Sequence, residues 1–380
     1  MDHIVVKYGE IALKGDNKAF FEHALMDNIK VALKGESIDA VRKQYGRLVI
    51  DLNKNSKLDS IKEKLKHVFG IVYFAPAYLV PLDIEEIKKK SLDLVGDEKT
   101  FHVKARRSMK EFPLTSPQIN DQIGGYVIKN KGLKVQFEGS DLTIFVEITE
   151  KGAFLYKEKF PCLSGLPVGV SGKVISLISG GIDSPVASFK MMKRGCEVIF
   201  VHFHNISTTQ AVVKDKVKRL VEILSKYQPK TKLYLIPFGD IQKEIVKNVN
   251  PKVRMLIYRR AMLKISEEIL HKEKALAYVT GDSLAQVASQ TLENIHVVRA
   301  VANYPVLSPL IGMDKEEIIE IAKEIGTFET SILPYSDCCS MFIAEHPETR
   351  AKLENIEKEE KFDSKTLIKE AVEKAEVIGF

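Results

Sequence analysis

One hexapeptide constrains this chain more than any other feature. Ser179-Gly180-Gly181-Ile182-Asp183-Ser184 follows the apolar, β-rich run 174–178 and precedes an apolar-periodic segment, residues 185–193. That segment opens on a proline, as helix starts favour. A strand that turns through two glycines into a helix is the entry to a doubly wound parallel sheet, whose ligands bind beyond the carboxyl ends of its strands. Backbone N–H groups and the helix dipole converge there, which suits a pyrophosphate-like anion. Ser179 and Ser184 offer hydroxyls to phosphate oxygens, and Asp183 is a candidate Mg2+ ligand. The chain carries no G-x-x-x-x-G-K-[ST], and this strand does not lead into G-x-G-x-x-G, so neither a Walker A loop nor a dinucleotide fingerprint fits.

The rest of the pattern divides into three. Residues 161–172 hold three Gly and two Pro and no charge, the clearest boundary in the sequence. After it, β-rich runs at 174–178, 197–203, 232–237 and 275–280 alternate with longer helical segments, again the signature of a parallel α/β sheet. Before it, residues 1–80 read as strand, helix, strand, strand, helix, strand, the ferredoxin-like order. Residues 81–170 form a second small α/β unit, with helices expected at 83–95 and 118–131, a strand at 100–105, and a hairpin of 142–148 with 153–159. The expected domains are therefore 1–80, 81–170 with the linker, and 171–380.

Composition adds the class of partner. The chain has 380 residues and a formal net charge of +6, unevenly spread: +4 over 1–170, +10 over 171–313 and −8 over 314–380. A basic body is compatible with a polyanionic partner, although Lys-rich solvated helices explain the charge alone more simply. Four cysteines cannot make a disulfide framework, and neither a signal peptide nor an apolar run of about 20 residues is visible. A cytoplasmic protein is the expectation.

Several residues stand out as candidates. Lys104, Arg106, Arg107 and Lys110 crowd one strand end, where cations suit phosphate contacts or a solvated turn equally. His202-Phe203 closes the second strand of the parallel sheet. The helix expected from Lys252 carries Arg254, Arg259, Arg260 and Lys264, with Lys252 and Arg259 seven apart on one face. Gly281-Asp282-Ser283 is expected to open a helix bearing Gln286 and Gln290. Cys338-Cys339 lies in a polar loop after Pro334; neighbours in sequence are too close for easy disulfide formation, so Cys162, Cys196 or an external thiol would be the partner in any redox step.

The hexapeptide resembles the PP-loop of the N-type ATP pyrophosphatases, which cleave ATP between the α and β phosphates and adenylate a substrate oxygen. The longer run, Gly165-Leu166-Pro167-Val168-Gly169, Gly172-Lys173-Val174, SGGIDSPVA and Met192-Lys193-Arg194-Gly195, is similar to one family within that group, tRNA 4-thiouridine synthetase, the tRNA sulfurtransferase ThiI. That resemblance spans essentially the whole chain. It implies an α/β and α+β multidomain protein: an N-terminal ferredoxin-like domain, a THUMP RNA-binding domain, and a C-terminal doubly wound PP-loop ATP pyrophosphatase domain.

The resemblance also implies roles. ATP with Mg2+ would be bound by Leu177, Ile178, Ser179, Gly180, Gly181, Asp183, Ser184, His202, Phe203, Arg259, Gly281 and Gln290, with Leu177-Ile178 and His202-Phe203 forming the adenine and ribose pocket. Cys339, or alternatively Cys338, would carry or release sulfur, and Lys104, Arg106, Arg107 and Lys110 would meet tRNA. The expected reaction is ATP-dependent conversion of the uridine at tRNA position 8 to 4-thiouridine through an adenylated uridine, with a second role in supplying sulfur for thiamine thiazole. Expected partners are tRNA, a cysteine desulfurase or other persulfide donor and a sulfur-carrier protein of thiamine synthesis, with a homodimer among the candidate states. Some relatives add a rhodanese domain; with 41 residues after Cys339, the form without one is expected here. No C-x-x-C is present, so neither an iron–sulfur cluster nor zinc is expected. The competing readings are another PP-loop adenylating enzyme and a non-catalytic tRNA-binding protein.

Overall fold

The computed structural model describes the chain except residues 45, 206–209, 335–343 and 361–363, and the side chains of 210–213 and 364. It forms two compact units, Met1–Pro167 and Val168–Phe380, dividing inside the Gly/Pro-rich stretch.

In the first unit, strands β1 (His3–Tyr8), β2 (Ile38–Gln44), β3 (Arg47–Leu52) and β4 (Ile71–Val80) alternate with α1 (Lys18–Ala32) and α2 (Leu58–Leu65). β5 (Thr100–Arg107), β6 (Lys134–Val135), β7 (Leu142–Thr149), β8 (Gly152–Tyr156) and β9 (Phe160–Pro161) follow, with α3 (Ile84–Leu92) and α4 (Ser116–Lys131). The strands run β2-β3-β1-β4-β8-β7-β5-β6 in one sheet, with β9 also on β4. The antiparallel order β4-β1-β3-β2 is ferredoxin-like. Ile4, Val6 and Tyr8 of β1 turn inward against Leu25, Ile29, Ile61 and Leu65 of its two helices, while Val5 on the opposite face is buried with Val49, Ala75 and Phe154. α4 begins with a reciprocal capping box, the Thr115 hydroxyl accepting from Gln118 N–H while the Gln118 side chain accepts from Thr115 N–H.

β4 belongs to both halves of this unit. Ile71–Ala77 pair with β1, and Tyr78–Val80 pair with β8. The join is tight: Gly152, with φ 138°, leaves room where a Cβ would lie 2.6 Å from the Val80 carbonyl oxygen. Across it the buried Glu147 carboxylate of β7 takes hydrogen bonds from Tyr156 Oη (2.6 Å) and Lys7 Nζ (2.9 Å) and an ion pair from Arg47. Burial alone would raise the Glu147 carboxyl, but Arg47 and Lys7 outweigh it and hold it below the usual range.

In the second unit, β10 (Lys173–Leu177), α5 (Asp183–Lys193), β11 (Glu197–His204), α6 (Gln210–Ser225), β12 (Lys232–Pro237), α7 (Gly239–Asn248), α8 (Arg254–Glu273) and β13 (Ala277–Val279) come first. Then follow α9 (Leu292–Arg299), β14 (Val306–Leu307), α10 (Lys315–Glu324), α11 (Phe328–Ser331), α12 (Leu353–Glu359), α13 (Ser364–Glu373) and β15 (Glu376–Gly379). The sheet runs β14-β13-β10-β11-β12-β15, parallel except for β15. Strand order reverses between β10 and β13, so the crevice at their carboxyl ends is where this topology binds ligands. Among the described residues no helix is long and apolar enough to cross a membrane.

Candidate active site

The loop after β10 holds its shape with its own hydroxyls. Ser179 N–H donates to Ser184 Oγ (2.9 Å), Gly181 N–H donates to Ser179 Oγ (3.2 Å), and the two serine oxygens lie 3.1 Å apart. Neither Gly180 nor Gly181 is in the left-handed region, so the turn is closed by serine bonds and not by glycine's wider φ range. α5 starts at Asp183 with no side-chain cap, leaving its first-turn N–H groups for an anion.

A second loop, after β13, packs directly onto the first. A Cβ on Gly281 would stand 2.8 Å from Ser184 N and 3.0 Å from Asp183 C, so only glycine allows this approach. Beyond it Arg259 of α8 grips Asp282 with one guanidinium nitrogen (2.6 and 2.8 Å) and donates to Ser289 O with another (3.0 Å). Gln290 Nε2 also reaches Asp282 (3.3 Å). Asp183 is compensated from further away in sequence, by Lys315 Nζ of α10 (2.5 Å) and Gln286 Nε2 (3.0 Å).

These groups surround one cavity of about 310 Å3, lined among others by Leu177, Ser179, Asp183, Ser184, Arg259, Gly281 and Gln290. Its wall is polar near the loop and apolar around Met262, Leu263, Val298 and Val306, the two kinds of surface a nucleotide needs. Ile178 and His202 stand behind the loop: His202 Nδ1 meets Ile178 O at 2.9 Å. Phe203 packs edge-on against Phe238 in the core. Of the two residue pairs expected to form one adenine and ribose pocket, Leu177 lines this cavity.

Two expectations need correction. The segment from Gly281 does not open a helix; Ala285 adopts φ 61°, a short 3-10 turn covers Ala288–Gln290, and α9 starts only at Leu292 behind the Thr291 cap. α8 begins at Arg254, so Lys252 precedes it and shares no helical face with Arg259. Arg260 and Lys264 of the same helix both hold Glu360, at 2.8 and 3.1 Å. The sequence reading missed Lys315, Arg299 and the pairing role of Asp282; the first two carry no local signal, lying far from the hexapeptide along the chain. Cys338 and Cys339 lie outside the described residues. Cys162 and Cys196 are thiols pushed up by burial, Cys162 to about 12.

In the first unit, Lys104 and Arg106 are exposed on one face of β5 while Phe101, Val103 and Ala105 are buried on the other. Lys159 is lowered chiefly by burial and then by the nearby charge of Arg106. Arg107 turns back to donate to Phe112 O (3.2 Å), and Lys110 is exposed in the loop beyond.

Comparison with known proteins agrees with this architecture. Residues 169–364 match the family model described as thiamine biosynthesis protein (ThiI), residues 3–75 the ThiI ferredoxin-like domain, and residues 82–158 the THUMP domain. A protein named probable tRNA sulfurtransferase from Acetivibrio thermocellus is 44% identical, covering 99% of this chain and 98% of its own. One of the same name from Thermoanaerobacter sp. is 45% identical over 95% of this chain and 96% of its own. A crystal structure of a 4-thiouridine synthetase–RNA complex with bound ATP superposes with a TM-score of 0.91 at 38% identity, covering both chains fully. With a cavity at the switch point of its sheet and this likeness from end to end, the chain belongs to the ThiI family.

Proposed function

We infer that this protein is an ATP-dependent tRNA sulfurtransferase that makes 4-thiouridine. The observation that carries the reading is the meeting of Ser179–Ser184, Gly281 and the Arg259–Asp282 pair around one cavity, on a chain matched along its whole length by tRNA sulfurtransferases. ATP would lay its triphosphate on the loop and the start of α5, with its base toward the apolar wall. Uridine O4 attacks the α-phosphorus, N3 loses its proton and pyrophosphate departs; Arg259 and the loop N–H groups face the charge that develops. The terminal sulfur of a persulfide, carried on Cys339 or Cys338, then attacks C4, and O4 leaves with AMP. A second thiol cleaves the remaining S–S bond, giving 4-thiouridine and a disulfide.

Mg2+ fits this site as an ion brought by ATP. The described residues contain no cluster of three or more metal-ligating side chains, whereas one carboxylate beside phosphate oxygens is a usual Mg2+ donor set. Asp183 would hold it, once Lys315 is displaced, and the ion would neutralise departing pyrophosphate. Lys104, Arg106, Arg107 and Lys110 would contact the tRNA backbone. Position 8 as the target, a cysteine desulfurase as donor, a homodimer and sulfur supply for thiamine thiazole belong to the same proposal.

The test is purified protein with unmodified tRNA, ATP, Mg2+ and sulfide as a generic donor. 4-Thiouridine should accumulate with equal AMP and pyrophosphate, and Asp183→Ala should abolish all three. Absence of tRNA-dependent ATP cleavage in the wild type would refute the reading.

A further inference from the structure

The cavity has four charged residues in its wall: Asp183, Arg259, Asp282 and Arg299. Asp183 is matched by Lys315, and Asp282 by Arg259. Arg299, at the end of α9, is different. Among the described residues its one side-chain hydrogen bond is from Nη2 to Ser308 Oγ (2.5 Å), and its buried Nε has no hydrogen-bond partner. Among the described residues no carboxylate pairs with it.

Its place in the wall is fixed by a polar rail. Ser308 Oγ lies 2.8 Å from Thr280 Oγ1, which donates to Asp282 Oδ2 (2.9 Å), which in turn is held by Arg259. Two guanidinium groups therefore stand at opposite ends of one chain of hydrogen bonds along the tips of β13 and β14. One is neutralised and the other is not. Arg299 also lines an outer, mostly apolar hollow with Leu292, Ile295, His296 and Ala300, so this residue stands between hollow and cavity. The Nε has no exposed surface, but among the described residues Nη1 makes no hydrogen bond, and a guanidinium nitrogen left open at a cavity wall suits a phosphate oxygen.

We propose that Arg299 is a second anion-binding residue of this site, taking a phosphate oxygen through Nη1. The proposal rests on the functional reading above, which supplies two sources of that chemistry: the phosphates of ATP and the backbone phosphate beside the target nucleotide. Arg299→Met removes the charge; Arg299→Gln removes it while keeping a donor for Ser308, should the methionine disturb packing. The full-length protein is titrated with ATP by calorimetry without RNA, and with tRNA by filter binding across a salt series without ATP. Thermal melts identify the variants that are folded.

The expected result is a loss of about tenfold or more in one affinity, the scale of one charge-assisted contact. A loss confined to ATP assigns the contact to the nucleotide. A loss confined to tRNA, with the salt slope reduced by about one, assigns it to the strand. A loss in both supports a contact where the two ligands meet. Both affinities within twofold of wild type in a folded variant would overturn the proposal. Wild-type protein that binds neither ligand would overturn the functional reading beneath it, a separate outcome.

Discussion

Replacing Gly281 by alanine adds a single methyl group, and the structure says where it goes. The new carbon would stand 2.8 Å from Ser184 N, 3.0 Å from Asp183 C and 3.1 Å from Ser184 Cα. Ordinary contacts of this kind lie near 3.5–4.0 Å, so the two loops must part by roughly 0.7 Å. All three atoms are backbone, at the start of α5, and no side-chain rotation relieves them. Overpacking of this sort costs about 1–3 kcal/mol, which a unit of this size survives. Function should suffer more, because a misplacement near 1 Å in a reacting site is worth about 100-fold. Gly281→Ala should therefore lower kcat/KM for tRNA-dependent AMP formation by about 10- to 100-fold while the protein still melts cooperatively and still binds tRNA. Activity within twofold of wild type would show that the contact between the loops does not set the geometry of the site, and the reasoning would fail.

Lys315→Met removes a cation that, displaced from Asp183 by Mg2+, would stand beside the phosphates, and ATP cleavage should fall by about tenfold or more, the scale of one charge-assisted bond, as read from steady-state kinetics. Glu147→Gln removes the carboxylate charge that pairs with Lys7 and Arg47 and should destabilise the first unit by about 3–5 kcal/mol in urea unfolding. Because the Glu147 carboxyl is held below its ordinary value, its contribution is full above about pH 4.5 and is lost as pH falls through the folded value; melts in that range should show a weaker acid dependence in the variant. Cys162 and Cys196 should resist alkylation in native protein near pH 8 and react on unfolding, as mass mapping would report.

The elements that the sequence displays best are those whose information is local. The ten-residue run IVYFAPAYLV is β4 from first residue to last, and residues 232–237 are likewise β12. Pro117 and the Thr115–Gln118 pair mark the start of α4. The segment after Gly281 misled because glycine followed by Asp and Ser looks like a helix entrance, whereas Ala285 takes a left-handed turn that no local propensity favours. In the site, the loop itself was legible from six residues. The ion pair between Asp183 and Lys315 spans 132 residues, and Arg299 meets the cavity only because α9 ends there. Pairings of that kind are made by tertiary packing and leave no periodic trace.

The strand that pairs first with β1 and then with β8 has a consequence for cooperativity. Two small folds that separate family models describe are joined here by an uninterrupted peptide backbone inside a hydrogen-bonded ladder. Cutting the chain at residue 80 would strip three ladder residues from one fold or leave them dangling on the other. The two should therefore exchange their amide protons, melt and respond to pulling as a single foldon, and a recombination event at that junction would need to carry the strand with both neighbours. The boundary drawn by descent is not a boundary in mechanics.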